Sequence, residues 1–227
     1  MISVLIPCYN EKNTISEIVD RILKVKEIDI EIIIIDDNSK DGTKDIIENN
    51  LASKVSKVIY NQVNEGKGYC IKKGIKEATG DIILIQDADL EYDPKEYKKL
   101  IKPILDGHAD VVYGSRFIGG DERRILFFWH TIANKLLTLL SNMFTNLNLT
   151  DMETCYKVFK KDIIKNIDLK EKRFGFDPEI TAKMAKMKPK IFEVGISYFG
   201  RTYDQGKKIK LKDAFIVLKS IIKYNLF

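Results

Sequence analysis

Two aspartates separated by one small residue, Asp87-Ala88-Asp89, follow the apolar run Ile82-Ile83-Leu84-Ile85 and precede the turn Tyr92-Asp93-Pro94. Residues two apart on a strand share a face, so both carboxylates point the same way at the strand end. Hard oxygen ligands placed like this suit Mg2+ or Mn2+ holding a substrate diphosphate. Asp93 with Pro94 reads as a helix start, which leaves Asp87 and Asp89 for that chemistry. A second acidic cluster, Asp36-Asp37-Asn38-Ser39-Lys40-Asp41-Gly42-Thr43, also ends an apolar run. Asp41-Gly42 makes a turn there and Thr43 caps the next helix, whereas Asp36 and Asp37 sit where a carboxylate accepts hydrogen bonds from a nucleobase or ribose. Asn64-Glu65-Gly66-Lys67-Gly68 opens a helix and offers an anion-binding entrance with Lys67 as its cation, although its glycine spacing differs from that of a phosphate loop.

The elements that must position these groups are β-branched runs of buried-strand length: Ile2 to Pro7, Ile30 to Asp36, Ile82 to Gln86, Asp110 to Tyr113 and a weaker Lys57 to Tyr60. Between them, Ile15, Ile18, Val19, Ile22 and Leu23 fall at helical spacing after a cap at Asn13 or Thr14, and residues 68–78 and 94–105 read the same way. The alternation predicts an α/β protein, a mostly parallel sheet flanked by helices. In such sheets ligands bind beyond the carboxyl ends of the strands. The polar clusters Pro7-Cys8-Tyr9-Asn10-Glu11, Asp36-Asp37, Asp87-Ala88-Asp89-Leu90-Glu91 and Gly114-Ser115-Arg116 all fall at those ends, so one rim collects them.

The chain has 227 residues, 44% hydrophobic and 31% charged, which suits one globular domain and excludes a disordered or collagenous chain. Its net charge of +5 is uneven, because residues 157–227 carry 18 basic and 8 acidic side chains and the front is net acidic. An acidic front suits a bound cation, and a basic rear suits an anionic polymer or membrane surface. The rear lacks a recognisable nucleic-acid-reading motif, so nucleic acid is not expected as a partner. Cys8, Cys70 and Cys155 are far apart with no CxxC pair, which fits a reducing cytosolic compartment. Met1 runs directly into Ile2-Ser3-Val4-Leu5-Ile6 without a basic leader, so no signal peptide is expected.

Five segments in register carry a resemblance: Ile2 to Glu11, Asp36-Asp37-Asn38-Ser39 with Asp41-Gly42-Thr43, Asn64-x-Gly66-Lys67-Gly68, Gln86 to Glu91, and Gly114-Ser115-Arg116-Phe117. Together they resemble the family 2 inverting glycosyltransferases of GT-A fold, and more narrowly the polyprenyl-phosphate sugar synthases of the dolichol-phosphate mannose synthase type. The resemblance implies a single GT-A domain over residues 1–227, with a nucleotide-sugar-binding half (1–114) and an acceptor and membrane-facing half (115–227). It implies a nucleotide-sugar donor, a divalent cation (Mg2+ or Mn2+) on Asp87, Asp89 and Glu91, and a polyprenyl phosphate acceptor on the cytoplasmic leaflet. Pro7, Tyr9, Glu11, Asp36 and Asp37 would line the nucleoside pocket. Arg116 and Arg201 map onto acceptor-side arginines, with Arg123 or Arg124 as a third, and Asp151 onto an acceptor-side aspartate. Arginine suits this work because its fork pairs with phosphate oxygens. Mannose from GDP-mannose is the first expectation for the donor. The alternatives are a UDP-sugar enzyme that glycosylates a glycan hydroxyl with Asp151 as general base, and a catalytically silent membrane-peripheral partner.

The membrane expectation has its own residues. Ile125, Leu126, Phe128, Trp129, Ile132, Ala133, Leu136, Leu137, Leu140, Met143 and Phe144 recur at helical spacing after Arg123 and Arg124. A second apolar-basic pattern runs from Leu211 to Phe227 behind four lysines between Gly206 and Lys212. The interruptions in 125–149, among them Lys135, make an interfacial helix or a core helix more fitting than a span. Peripheral attachment, alone or with a membrane-embedded partner, is expected.

Overall fold

A computed structural model describes residues 1–119, 122–125, 127–207 and 211–226 of the chain. Leu126, Lys208, Lys210 and Phe227 of the two amphipathic patterns lie outside the described residues, as does the side chain of Lys212. The strands are β1 (Ile2–Cys8), β2 (Ile30–Asp36), β3 (Lys57–Tyr60), β4 (Ile82–Ile85), β5 (Val111–Ser115), β6 (Lys157–Lys160) and β7 (Ile191–Gly195). Among the described residues they form one sheet in the order β3-β2-β1-β4-β6-β5-β7, in which β6 alone runs antiparallel to its neighbours. Nearly continuous burial of Val4, Leu5, Ile6, Ile32 to Ile35 and Ile82 to Ile85 explains why these runs lie inside the sheet.

The helices are α1 (Ile15–Leu23), α2 (Thr43–Ile46, continued by a π turn over Ile47–Leu51), α3 (Lys67–Glu77), α4 (Tyr97–Leu105 after a 3-10 turn Pro94–Glu96), α5 (Phe128–Thr145), α6 (Lys161–Lys165), α7 (Phe176–Met187) and α8 (Leu211–Leu226). α3 packs on β1 and β2, α4 on β5, β6 and β7, and α5, α7 and α8 pack on one another. The first three expected helices are present with slightly different ends. Thr14 precedes α1, but its hydroxyl bonds Glu11 instead of capping the helix, and the carboxyl of Asp41 accepts the Thr43 N–H at the start of α2. β6 and β7 were not expected from the sequence. β6 is four residues, Lys157-Val158-Phe159-Lys160, between a polar loop and a helix, too short for its periodicity to stand out.

The reversed β6 matters for the rim. Leu84 pairs with Val158 and Tyr113 with Lys157, so the start of β6 lies beside the carboxyl ends of β4 and β5. The loop 150–156 that feeds β6 therefore joins the clusters that follow β1, β2, β4 and β5.

Candidate active site

At the end of β2, Asp36 is buried, and its Oδ2 accepts the Ser39 N–H at 3.1 Å while its Oδ1 has no hydrogen-bond partner. Asp37 is bound differently. Its Oδ1 accepts Asn61 Nδ2 at 2.7 Å and Glu65 N at 2.9 Å, and its Oδ2 accepts Gly66 N at 2.7 Å. Asp37 thus holds the Asn64-Gly68 loop. Gly66 is required there, since its φ is +99° and a Cβ would stand 2.5 Å from the Lys172 carbonyl oxygen. Tyr9 is exposed and Pro7 half-buried beside this edge.

The loop positions Lys67 so that its Nζ lies 2.7 Å from Asp87 Oδ1. Burial pushes the Asp87 carboxyl up, but the Lys67 charge outweighs it and holds the group below the usual carboxylate range. Asp89 faces the opposite balance. Burial and the charges of Asp87, Glu91 and Glu11 push it up to about 7, with Arg201 opposing. Leu90 adopts a positive φ of 64°, which turns the chain so that Glu91 stands beside Asp89. Arg201 lies among these acids: Nη2 is 2.8 Å from Asp89 Oδ2, Nη1 3.3 Å from Glu11 Oε2 and Nε 3.4 Å from Glu91 Oε1. The structure therefore brings Arg201 into contact with Glu11, Asp89 and Glu91.

Among the described residues, no three His, Cys, Asp or Glu side chains are grouped to hold a metal ion by themselves. A small divalent cation does not need such a cage, because Mg2+ is usually held by one or two carboxylates together with substrate phosphates. The excess of negative charge that raises Asp89 is the local condition a dication relieves, so Asp87 and Asp89 fit that role, with Glu91 next to them.

Across the rim, Arg116 and Asp151 form a two-pronged pair, Nε to Oδ2 and Nη2 to Oδ1, each 2.7 Å. Asp151 is fully buried and also accepts the Arg116 N–H at 3.1 Å and Asn134 Nδ2 at 3.4 Å. The Arg116 guanidinium stacks 5.3 Å over Tyr198, whose hydroxyl donates to Glu91 Oε2 at 2.9 Å. Tyr198 thus links the two arginine sites, and neither its position nor its role was read from the sequence. Arg123 donates to the Arg116 carbonyl at 3.2 Å, and Arg124 to Gly200 O and Gln205 Oε1 at 3.1 and 2.7 Å. Arg124 thus ties down the strap that carries Tyr198 and Arg201, and Arg123 meets it through a backbone bridge to Tyr198. Asp177 lies within α7 and pairs with Lys157, and Glu179 is buried, where it binds the Lys170 and Glu171 N–H groups at 2.8 and 2.7 Å.

Comparison with known proteins fits this arrangement. The model of "Glycosyl transferase family 2" matches residues 3–168. A dolichol-phosphate mannosyltransferase of Pyrococcus furiosus is 28% identical over 213 residues, covering 92% of this chain and 60% of the relative, so the chain spans less than two thirds of that protein's length. An undecaprenyl-phosphate mannosyltransferase of Micrococcus luteus is 27% identical over 214 residues, covering 89% of this chain and 85% of the relative. Among solved structures, glucosyl-3-phosphoglycerate synthase of Mycobacterium tuberculosis, crystallised with Mn2+, UDP and glucosyl-3-phosphoglycerate, superimposes with a TM-score of 0.78 at 19% identity over 100% of this chain and 80% of that one, a likeness of fold. With a mostly parallel sheet, a rim of carboxylates and arginines, and a family match over more than half its length, the chain belongs to glycosyl transferase family 2, the glycosyltransferases.

Proposed function

We propose that this enzyme transfers a hexose from a nucleotide sugar to a polyprenyl phosphate at a membrane surface, with inversion at the anomeric carbon. The observation that carries the reading is the Arg116–Asp151 fork. Asp151, the acceptor-side aspartate that a hydroxyl acceptor would use as base, is buried and takes four hydrogen-bond donors, and what it holds in place is a cation. A lipid phosphate is already anionic and needs no base, whereas it does need its charge met as it approaches a diphosphate.

In this reading Asp36 and Asp37 border the nucleoside, and the Lys67 loop and Arg201 meet the diphosphate. Asp87 and Asp89 would hold the divalent cation, which when bound would neutralise diphosphate charge on the leaving side. Arg116 orients the acceptor phosphate. An acceptor oxygen attacks the anomeric carbon, the bond from that carbon to the diphosphate oxygen breaks, and the nucleoside diphosphate leaves with its electron pair. The named activities of the two relatives support mannose as the first sugar to test, with GDP-mannose as donor and UDP-sugars next.

The surface around the site supports attachment to a bilayer. Phe128, Trp129, Ile132, Leu136, Leu139 and Met143 form an exposed stripe along α5. On α8, Phe215, Ile216, Ile222 and Leu226 are exposed beside Lys219 and Lys223. No helix among the described residues is long and apolar enough to cross a membrane. Apolar side chains flanked by lysines, each worth about 1 kcal/mol near an anionic leaflet, suit an interfacial position. The test is transfer of label from a panel of GDP- and UDP-sugars into the organic phase with polyprenyl phosphate and Mg2+ or Mn2+. Labelled lipid from one donor, lost in Asp89→Ala, is expected. Label that reaches only a water-soluble glycan overturns the reading.

A further inference from the structure

The loop that feeds β6 carries more charge than its pairs use. Arg116 is matched by Asp151, and Lys157, fully buried, by Asp177 and the Thr154 carbonyl. Each cation has one acid. Glu153 is a fifth group close enough to feel the charges of both pairs, and its Oε1 is buried with no hydrogen-bond partner. A buried carboxylate oxygen without a donor is strongly disfavoured, and the two nearby cations are already neutralised, so the neutral acid is the favoured form. Burial first, then the charges of Asp177 and Asp151, push the carboxyl up to about 8 against the pull of Lys157 and Arg116.

We propose that Glu153 completes the acceptor subsite as a neutral carboxylic acid whose O–H donates to an anionic acceptor oxygen facing Arg116. The inference rests on the lipid-phosphate reading and deepens it. The positive guanidinium of Arg116 attracts a phosphate and the O–H of a neutral Glu153 can donate to it, while an ionised Glu153 would repel it. The proton stays on Glu153 throughout, so no proton transfer is required of it. The same arrangement disfavours a neutral hydroxyl acceptor, which needs an ionised base at this place.

The test measures acceptor and donor KM with a short-chain polyprenyl phosphate across neutral to alkaline pH for wild type, Glu153→Gln and Glu153→Ala. In wild type the acceptor KM is expected to rise as pH passes through the titration of Glu153. Glu153→Gln, which keeps an N–H donor, raises acceptor KM only a few-fold and abolishes that alkaline rise. Glu153→Ala raises acceptor KM about 10- to 100-fold with donor KM unmoved, the loss of one hydrogen bond to a charged group. A further readout is independent of turnover: wild type minus Glu153→Gln infrared difference spectra should show a protonated carboxyl band at neutral pH. Absence of that band, an acceptor KM in Glu153→Ala equal to wild type, or Glu153→Gln losing turnover with acceptor KM unchanged each overturns the inference while leaving lipid transfer standing. A wild-type enzyme that labels no lipid from any donor overturns the lipid-phosphate reading and this role with it.

Discussion

Asp151→Asn replaces one oxygen of a carboxylate whose four accepted hydrogen bonds divide evenly between its oxygens. Oδ2 takes Arg116 N and Nε at 3.1 and 2.7 Å, and Oδ1 takes Arg116 Nη2 and Asn134 Nδ2 at 2.7 and 3.4 Å. An amide has one oxygen and one NH2, so whichever way it turns, two donors face its NH2 group. Arg116, whose side chain is 16% exposed, also loses its counter-charge. Removing one partner of a buried pair destabilises by about 3–5 kcal/mol, and the residual exposure of Arg116 and its stack on Tyr198 place this case near the lower end, about 3 kcal/mol. With a urea slope of about 2–3 kcal/mol/M, the unfolding midpoint should fall by roughly 1–1.5 M. In transfer assays the misoriented guanidinium should raise acceptor KM more than donor KM. The double variant Arg116→Met/Asp151→Leu should recover most of the stability and none of the transfer, because it removes the buried charges but also the guanidinium that meets the acceptor phosphate. A stability loss below about 1 kcal/mol in Asp151→Asn would refute the packing argument. Full stability and unchanged acceptor KM with transfer abolished would show that Asp151 acts on the reacting atoms itself.

Other outcomes rest on separate features. Glu153 has its proton held in the folded state, from an ordinary 4.5 to about 8, so the folded protein binds the proton more tightly than the unfolded chain and loses stability as pH rises between those values. Glu153→Gln does not titrate, and its stability relative to wild type should climb by up to about 1.4 kcal/mol per pH unit through that window, measured by urea unfolding at several pH values. Gln86 Oε1 accepts both Tyr97 and Tyr156 hydroxyls at 2.7 Å inside the core, so Gln86→Leu strands two buried phenols and should destabilise by about 2–5 kcal/mol, read as a lower thermal midpoint. Trp129 is 76% exposed on α5, so Trp129→Ser should leave the thermal midpoint unchanged while weakening sedimentation with anionic vesicles about 10-fold or more. Equal vesicle binding by that variant would remove α5 from the membrane-facing surface.

Much of the site could be read from the chain because its groups follow strands whose apolar runs are unmistakable. Ile2 to Ile6, Ile30 to Ile35 and Ile82 to Ile85 identify parallel strands, and the residues after each must reach the same rim once the strands align. Asp36, Asp37, Asp87 and Asp89 needed only that rule. Lys67 was legible as a loop cation, but its pairing with Asp87 was not, since that contact depends on Asp37 holding the loop through two backbone N–H groups.

The second half obeys no such rule. Which carboxylates Arg201 meets depends on a strap tied by Arg124 to Gly200 and by Tyr198 to Glu91, contacts more than seventy residues apart in sequence. The role of Glu153 depends on how many acids and cations surround it, which is a count over space. Local pattern alone therefore determined the α/β sheet, the rim and the paired aspartates, because strand period and burial act on neighbouring residues. Only the tertiary structure decided the reversal of β6, the fork that closes Asp151, and the odd acid left near two buried ion pairs. These depend on Coulomb and desolvation energies summed over groups that the chain brings together only when folded.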